Sequence, residues 1–207
     1  DLAGSGVAIG LPQNWRSRGQ LGDAAVADRL PPARGLRAVV SGSCSVATNG
    51  QVARFLETGR PAIAIDPLAI AAGQDVASDA LRSLVPHLAS GPVLAYATAE
   101  PARVAAVQQQ LGVEHAGALV EQTMSRIATG LVEAGVRQLV VAGGETSGAV
   151  VQALGVRQMT IGPQIDPGVP WTAARSPAAG GDVVHLALKS GNFGRPGFFT
   201  DAFELLR

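Results

Sequence analysis

The chain has 207 residues, 47% of them apolar and only 15% charged, and its 16 basic and 16 acidic side chains cancel to a formal charge of zero. That is too much apolar content and too little charge for a disordered chain, and there is no basic stripe for non-specific nucleic-acid binding. No apolar run approaches the ~18 residues of a membrane-spanning helix, and the single cysteine, Cys44, excludes an internal disulfide or a cysteine-rich zinc site.

The opening residues carry neither a methionine nor the basic and apolar regions of a signal peptide. Turn-rich text follows, with Leu11-Pro12-Gln13-Asn14-Trp15 and then Pro31-Pro32-Ala33-Arg34-Gly35, so residues 1–34 read as a linker or surface strap. The chain therefore looks cut from a longer protein, the competing reading being a mature enzyme trimmed at its N-terminus. After Gly35 the pattern becomes regular. Leu36 to Ser41 is a short apolar run with β-branched residues, a buried strand, and Val46 to Thr58 has helical spacing through Val46, Val52, Phe55 and Leu56. Pro61 to Asp66 reads as a strand, and Val76 to Ala89 as a helix that Pro86 kinks or ends early. Pro92 to Ala97 is a strand and Pro101 to Leu111 a helix with proline in its first turn.

Ala116 to Ala134 is the longest helical pattern, ended by Gly135. Strand Gln138 to Ala142, helix Thr146 to Leu154 and strand Val156 to Ile161 come next. A Pro/Gly loop leads to strand Val183 to Leu188 and a terminal helix from Pro196 to Leu206. Continuous apolar strands alternating with helices predict an α/β fold: a three-layer sandwich around a mostly parallel sheet, with helices on both faces. In such folds ligands sit beyond the carboxyl ends of the strands, so the loops there are the places to search.

Three of those loops share one chemistry. Ser41-Gly42-Ser43-Cys44-Ser45 offers hydroxyls (Ser43 and Ser45 among them) and backbone N–H groups at a helix start. It reads as a phosphate loop, as a plain N-cap, or as a nucleophile loop using Cys44 or Ser43. The last would need a histidine base that the sequence does not place nearby. Gly143-Gly144-Glu145-Thr146-Ser147-Gly148 has two glycines that permit close backbone approach. Its Thr146 can cap a helix, and its Glu145 suits a Mg²⁺-bound water, a ribose or a base edge better than a bare phosphate. Lys189-Ser190-Gly191-Asn192-Phe193-Gly194 carries the lone lysine of the chain, and Lys189 and Asn192 are types that reach phosphate oxygens. No Walker A pattern occurs. Asp66 and Asp166 are weaker candidates, for a metal or ribose contact and for a pocket wall. His87, His115 and His185 read as structural or surface residues.

Taken together, the three loops, with Thr48 and Gln51 behind the first, resemble the four-carbon acid sugar kinase family, which includes 3-oxo-tetronate, threonate and erythronate kinases. The likeness runs from about Gly35 to the C-terminus and matches that family's C-terminal, nucleotide-binding domain. The opening Gly4 to Pro12 looks like the tail of its N-terminal, sugar-acid-binding domain. The resemblance implies ATP contacts at Ser43, Gly143, Gly144, Glu145, Thr146 and Gly191. It also implies ATP and Mg²⁺ as cofactors, and a sugar acid held by the N-terminal domain. No catalytic residue and no protein-held metal site are assigned. The expected function is transfer of the γ-phosphate of ATP to a sugar-acid hydroxyl in a cytoplasmic protein, with little transfer by this stretch alone. Homo-oligomer formation is left open, and no nucleic acid or membrane is expected. The competing readings are a non-catalytic ligand-binding or interaction module and a Ser/Cys acyl-transfer enzyme.

Overall fold

Seven strands form one mixed sheet in a computed structural model that describes residues 10–22, 29–99 and 101–206. The strands are β1 (Leu36–Ser41), β2 (Ala62–Ala64), β3 (Val93–Tyr96), β4 (Val136–Ala142), β5 (Thr160–Asp166), β6 (Val169–Arg175) and β7 (Val183–Lys189). Their order across the sheet is β2-β3-β1-β4-β7-β6-β5. The pairs from β2 through β7 are parallel, whereas β6 runs antiparallel to both β7 and β5.

Alternation along the central strands builds two cores. Ala38 and Val40 of β1, Leu139 and Val141 of β4, and Val184 and Leu186 of β7 face one layer of helices. That layer contains α4 (Val76–Leu84), α6 (Val113–Glu133) and α7 (Gly144–Ala153). Val39, Val140 and Ala187 face the other side, against Val52 and Phe55 of α2 (Val46–Leu56) and Phe198 and Phe199 of α8 (Phe198–Asp201). Central strands covered on both faces must be apolar throughout, which is how they read in the sequence. The short α1 (Leu11–Ser17), α3 (Pro67–Ala71) and α5 (Pro101–Leu111) complete the set of α-helices among the described residues.

The three-layer, mostly parallel architecture is as expected, and several boundaries differ. Pro86 ends α4 as foreseen, and the chain continues as a 3₁₀ turn over Val85–Ser90. Val46, at the first position of α2, is exposed rather than inward. The expected terminal helix is a short α8 followed by a 3₁₀ turn, Ala202–Leu205. The strand expected over 156–161 begins instead at Thr160 and continues to Asp166. What reads as a Pro/Gly loop after it is the turn and return strand of an antiparallel hairpin. Pro163 is tolerated because β5 is an edge strand. Pro170 is tolerated because the ladder from β6 to β7 begins only at Trp171. Residues 11–17, expected as linker, form α1, which buries none of its side chains. Of the opening stretch Gly4 to Pro12, residues 4–9 lie outside the described residues.

Candidate functional site

The three loops singled out in the sequence follow β1, β4 and β7, which are neighbours and parallel, so all three emerge at one edge of the sheet. The chain leaves β1 through α2 toward β2 at one end of the sheet. It leaves β4 through α7 toward β5 at the other end. Right-handed crossovers in opposite directions place α2 and α7 on opposite faces, and the ends of β1 and β4 therefore flank a crevice.

The first loop is held from below and from the side. Gly42 and Ser43 N–H groups both donate to the Ala142 carbonyl, at 3.0 and 3.2 Å. Thr98, just past β3, donates its hydroxyl to the Ser43 carbonyl at 2.7 Å. Ser45 caps α2, its hydroxyl oxygen accepting from the Thr48 N–H at 3.2 Å. Asn49 ties the loop to the segment after β3 by donating to the carbonyls of Cys44 and Ala99, at 3.2 and 3.3 Å.

The second loop opens α7 without a side-chain cap, because its N-cap position is Gly143. Gly143 has φ +121°, a conformation open to glycine and strained for other residues. Its N–H donates to the Lys189 carbonyl and its carbonyl accepts from Ser147 N–H, at 2.8 and 2.9 Å. The amides of Gly144, Glu145 and Thr146 precede that first helical bond, so they are free donors at the positive end of the helix dipole. Thr146 is buried and packs directly on Gly42, where any β-carbon would collide with its hydroxyl.

The third loop is drawn inward by its carbonyls. Gln51 Nε2 donates to those of Phe193, Gly194 and Arg195 at 3.1, 2.8 and 3.1 Å. Ser45 Oγ donates to the Gly191 carbonyl at 2.6 Å. Asp166, at the end of β5, accepts from the Arg195 N–H at 2.9 Å. Lys189 is fully buried, and its Nζ donates to Thr48 Oγ1, the Ser190 carbonyl and the Gly191 carbonyl at 3.0, 3.1 and 3.0 Å. Burial pushes its ammonium down to about 8.

A cleft of about 650 Å³ lies against this edge, a size suited to a nucleotide-sized ligand. One end is formed by Ser43, Gly143, Gly144, Glu145, Thr146 and Gly191. The rest of the lining mixes apolar side chains, among them Leu56, Val104, Val107 and Val120, with Arg103, Gln108 and Glu121 of α5 and α6. No histidine lines the cleft, and His185 Nε2 meets the Pro31 carbonyl at 2.9 Å instead, so Cys44 and Ser43 have no imidazole base beside them.

Six of the nine residues expected at a nucleotide thus line the cleft, and Ser45, Lys189 and Asn192 do not. Ser45 is spent on capping α2 and holding Gly191. Lys189 lies beneath the loops with every ammonium proton used. Asn192 is exposed on the outer side of its loop. Asp66 caps α3 by accepting from the Leu68 N–H at 2.9 Å, and Asp166 braces the third loop. Sequence reasoning missed Thr98, Asn49 and the mixed wall. These come from β3, α2, α5 and α6, and only the fold brings them together.

The family model described as a nucleotide-binding C-terminal domain matches residues 38–199. A 3-oxo-tetronate kinase of Cupriavidus necator is 55% identical over 203 residues, covering 98% of this chain and 46% of that protein. One of Pseudomonas fluorescens is also 55% identical over 203 residues, with the same coverage. The chain therefore spans less than half the length of the curated relatives it matches. A crystal structure of a Haemophilus influenzae protein of family DUF1537 superposes with a TM-score of 0.78 at 36% identity. That match covers 93% of this chain and 45% of the other. The loops at the sheet edge and the agreement across nearly the whole chain lead to one conclusion: the chain belongs to the nucleotide-binding C-terminal domains of the four-carbon acid sugar kinase family.

Proposed function

We propose that the cleft binds ATP, with the base against the Val104 and Val107 wall and the phosphates on the first and second loops. The observation that carries this reading is the free N–H cradle at the start of α7, open to the cleft beside the Ser43 hydroxyl. In this reading Ser43, Gly143, Gly144, Thr146 and Gly191 contact phosphate. Glu145, exposed at the mouth, takes the ribose or a metal-bound water.

Mg²⁺ fits the donor set only as a companion of the phosphates. Among the described residues no three His, Cys, Asp or Glu side chains form a metal cluster, and Glu145 is the acidic residue next to the cradle. Hard oxygen ligands from phosphates and water, with one carboxylate nearby, suit that ion. When bound, it neutralises charge on the phosphoryl group in transfer.

In the longer protein, an acceptor hydroxyl oxygen attacks the γ-phosphorus as the bond to the β,γ-bridging oxygen breaks. ADP departs, and the hydroxyl proton passes to a base outside this domain. The relatives' name makes 3-oxo-tetronate the first acceptor to try, with threonate and erythronate next. Residues 1–34 then serve as linker and as the tail of a sugar-acid-binding domain, and residues 35–207 as the nucleotide-binding domain. A cytoplasmic setting fits ATP as donor, and no described helix is long and apolar enough to cross a membrane.

Titration calorimetry with ATP–Mg²⁺ tests the binding step. Saturable binding is expected, and its absence at millimolar nucleotide with the domain folded would overturn the reading. A kinase assay of the full-length protein against a panel of four-carbon acids tests the transfer. Nucleotide affinity without phosphorylation of any of them would point to a binding module.

A further inference from the structure

We propose that Lys189 is a positioning residue for the nucleotide site, setting the Ser43 hydroxyl through Thr48 and holding the carbonyls of the third loop inward so that Gly191 stays seated at the cleft. The proposal rests on the nucleotide reading above. It differs from a direct phosphate contact because the ammonium has three protons and meets three acceptors of the chain itself.

Proton counting directs the relay. The Gly191 carbonyl already accepts from Lys189 at 3.0 Å and from Ser45 Oγ at 2.6 Å. Thr48 Oγ1 accepts from Lys189 and lies 2.9 Å from the Gly191 carbonyl and 3.2 Å from Ser43 Oγ; with both lone pairs of that carbonyl taken by Lys189 and Ser45, its single proton goes to Ser43 Oγ. Ser43 lines the cleft, so the buried lysine fixes a hydroxyl it does not touch. The third loop is governed in the same way. Between them Lys189 and Gln51 hold the carbonyls of Ser190, Gly191, Phe193, Gly194 and Arg195. The Phe193 and Arg195 amides are spent on the Ser190 carbonyl and on Asp166, and Gly191 is the residue of this loop that lines the cleft, so it is the Gly191 end that these bonds hold in place.

The charge gives the device a second property. No carboxylate pairs with Lys189 among the described residues, so a buried ammonium stands without a counter-ion. Its ammonium is held near 8, so phosphates seated on the loops above would favour its charged form and draw a proton on binding. From α2 the group facing Lys189 is Thr48, and from the third loop it is two carbonyls. The ionisable groups around the cleft itself are Cys44, Tyr96, Arg103, Glu121 and Glu145. Asp166 and Arg195, beyond the third loop, pair with each other at 3.6 Å. To leave no thiol at the cleft, the experiment is done in a Cys44→Ala background.

ATP–Mg²⁺ binding is measured calorimetrically at pH 8 in buffers of different ionisation enthalpy, for that background and with Lys189→Met or Thr48→Val added. Deuterium uptake is measured on the same proteins without nucleotide. The background should take up a proton on binding. Lys189→Met should bind roughly tenfold to hundredfold more weakly, the range of one lost hydrogen bond to a charged group, and take up none. Its deuterium uptake should rise over residues 43–48 and 190–195 alone. Thr48→Val, which cuts the relay and keeps the lysine, should lose affinity while retaining proton uptake. Unchanged affinity or unchanged exchange in Lys189→Met overturns the proposal; if that variant does not fold, unchanged affinity in Thr48→Val does so. Failure of the unsubstituted chain, titrated alongside, to bind ATP is the separate failure of the nucleotide reading.

Discussion

Replacing Gly143 with alanine should damage the site and the fold together, by an amount the backbone sets. With φ +121° and ψ 134°, Gly143 occupies a region nearly closed to side-chain-bearing residues, and forcing alanine into it costs about 1–3 kcal/mol. The new Cβ would sit 2.9 Å from Thr146 Oγ1 and 3.3 Å from the Ser43 amide nitrogen. Thr146 cannot yield toward Gly42, which it already touches. At roughly 2–4 °C per kcal/mol for a chain of this size, the melting temperature should fall by about 2–12 °C. Because the strain moves the amides of the α7 start and of Ser43, ATP affinity should fall at least about tenfold, or ~1.4 kcal/mol. Gly148→Ala in the same helix is the control. It has open space around its Cα and no positive φ, so alanine should be neutral or stabilise by up to about 1 kcal/mol. Thermal melts and ATP titrations of both variants measure this. Parental melting temperature and affinity in Gly143→Ala would refute the argument that the glycine is there for its conformation.

Other perturbations address the packing, the strap and the cleft. Phe55 is fully buried where α2 meets α8, and Phe55→Ala should cost about 3–5 kcal/mol in urea unfolding. Burial holds His185 below its ordinary pKa of 6.5, so the unfolded chain takes the proton more readily than the folded one. The resulting stability is fully present above the unfolded-state value and is lost as pH falls below it toward the folded-state pKa. His185→Gln, which can keep a donor for the Pro31 carbonyl, should therefore flatten the decline in melting temperature between about pH 7 and 5; an unchanged decline would assign it to other groups. Cys44 lines the cleft as the one thiol of the chain, so ATP–Mg²⁺ should slow its reaction with a maleimide. Equal rates with and without nucleotide would place the ligand elsewhere.

Much of the site could be read from the chain because its parts are local. Each of the three loops directly follows an apolar strand, and small residues after such a strand are visible as text. The hairpin of β5 and β6 was not legible, because Pro163, Pro167, Gly168 and Pro170 signal a loop by every local rule. What makes them acceptable is position: an edge for Pro163, and for Pro170 a start ahead of the ladder to β7. Lys189 shows the same limit at one side chain. Beside Ser190, Gly191 and Asn192 it reads as a phosphate ligand. Thr48, 141 positions away, supplies the contact that helps fix it beneath the loops instead.

The sequence by itself determined the class of fold, the edge of the sheet to search, and the glycines and hydroxyls of the anion end, since these depend on short-range periodicity and strand-end position. Tertiary structure alone decided that β1, β4 and β7 are neighbours, that α2 and α7 diverge to open a cleft, and that α5 and α6 wall it. It also decided that the lone lysine is buried. These are contacts between residues distant in the chain, and no local pattern encodes which acceptors will close around a buried charge.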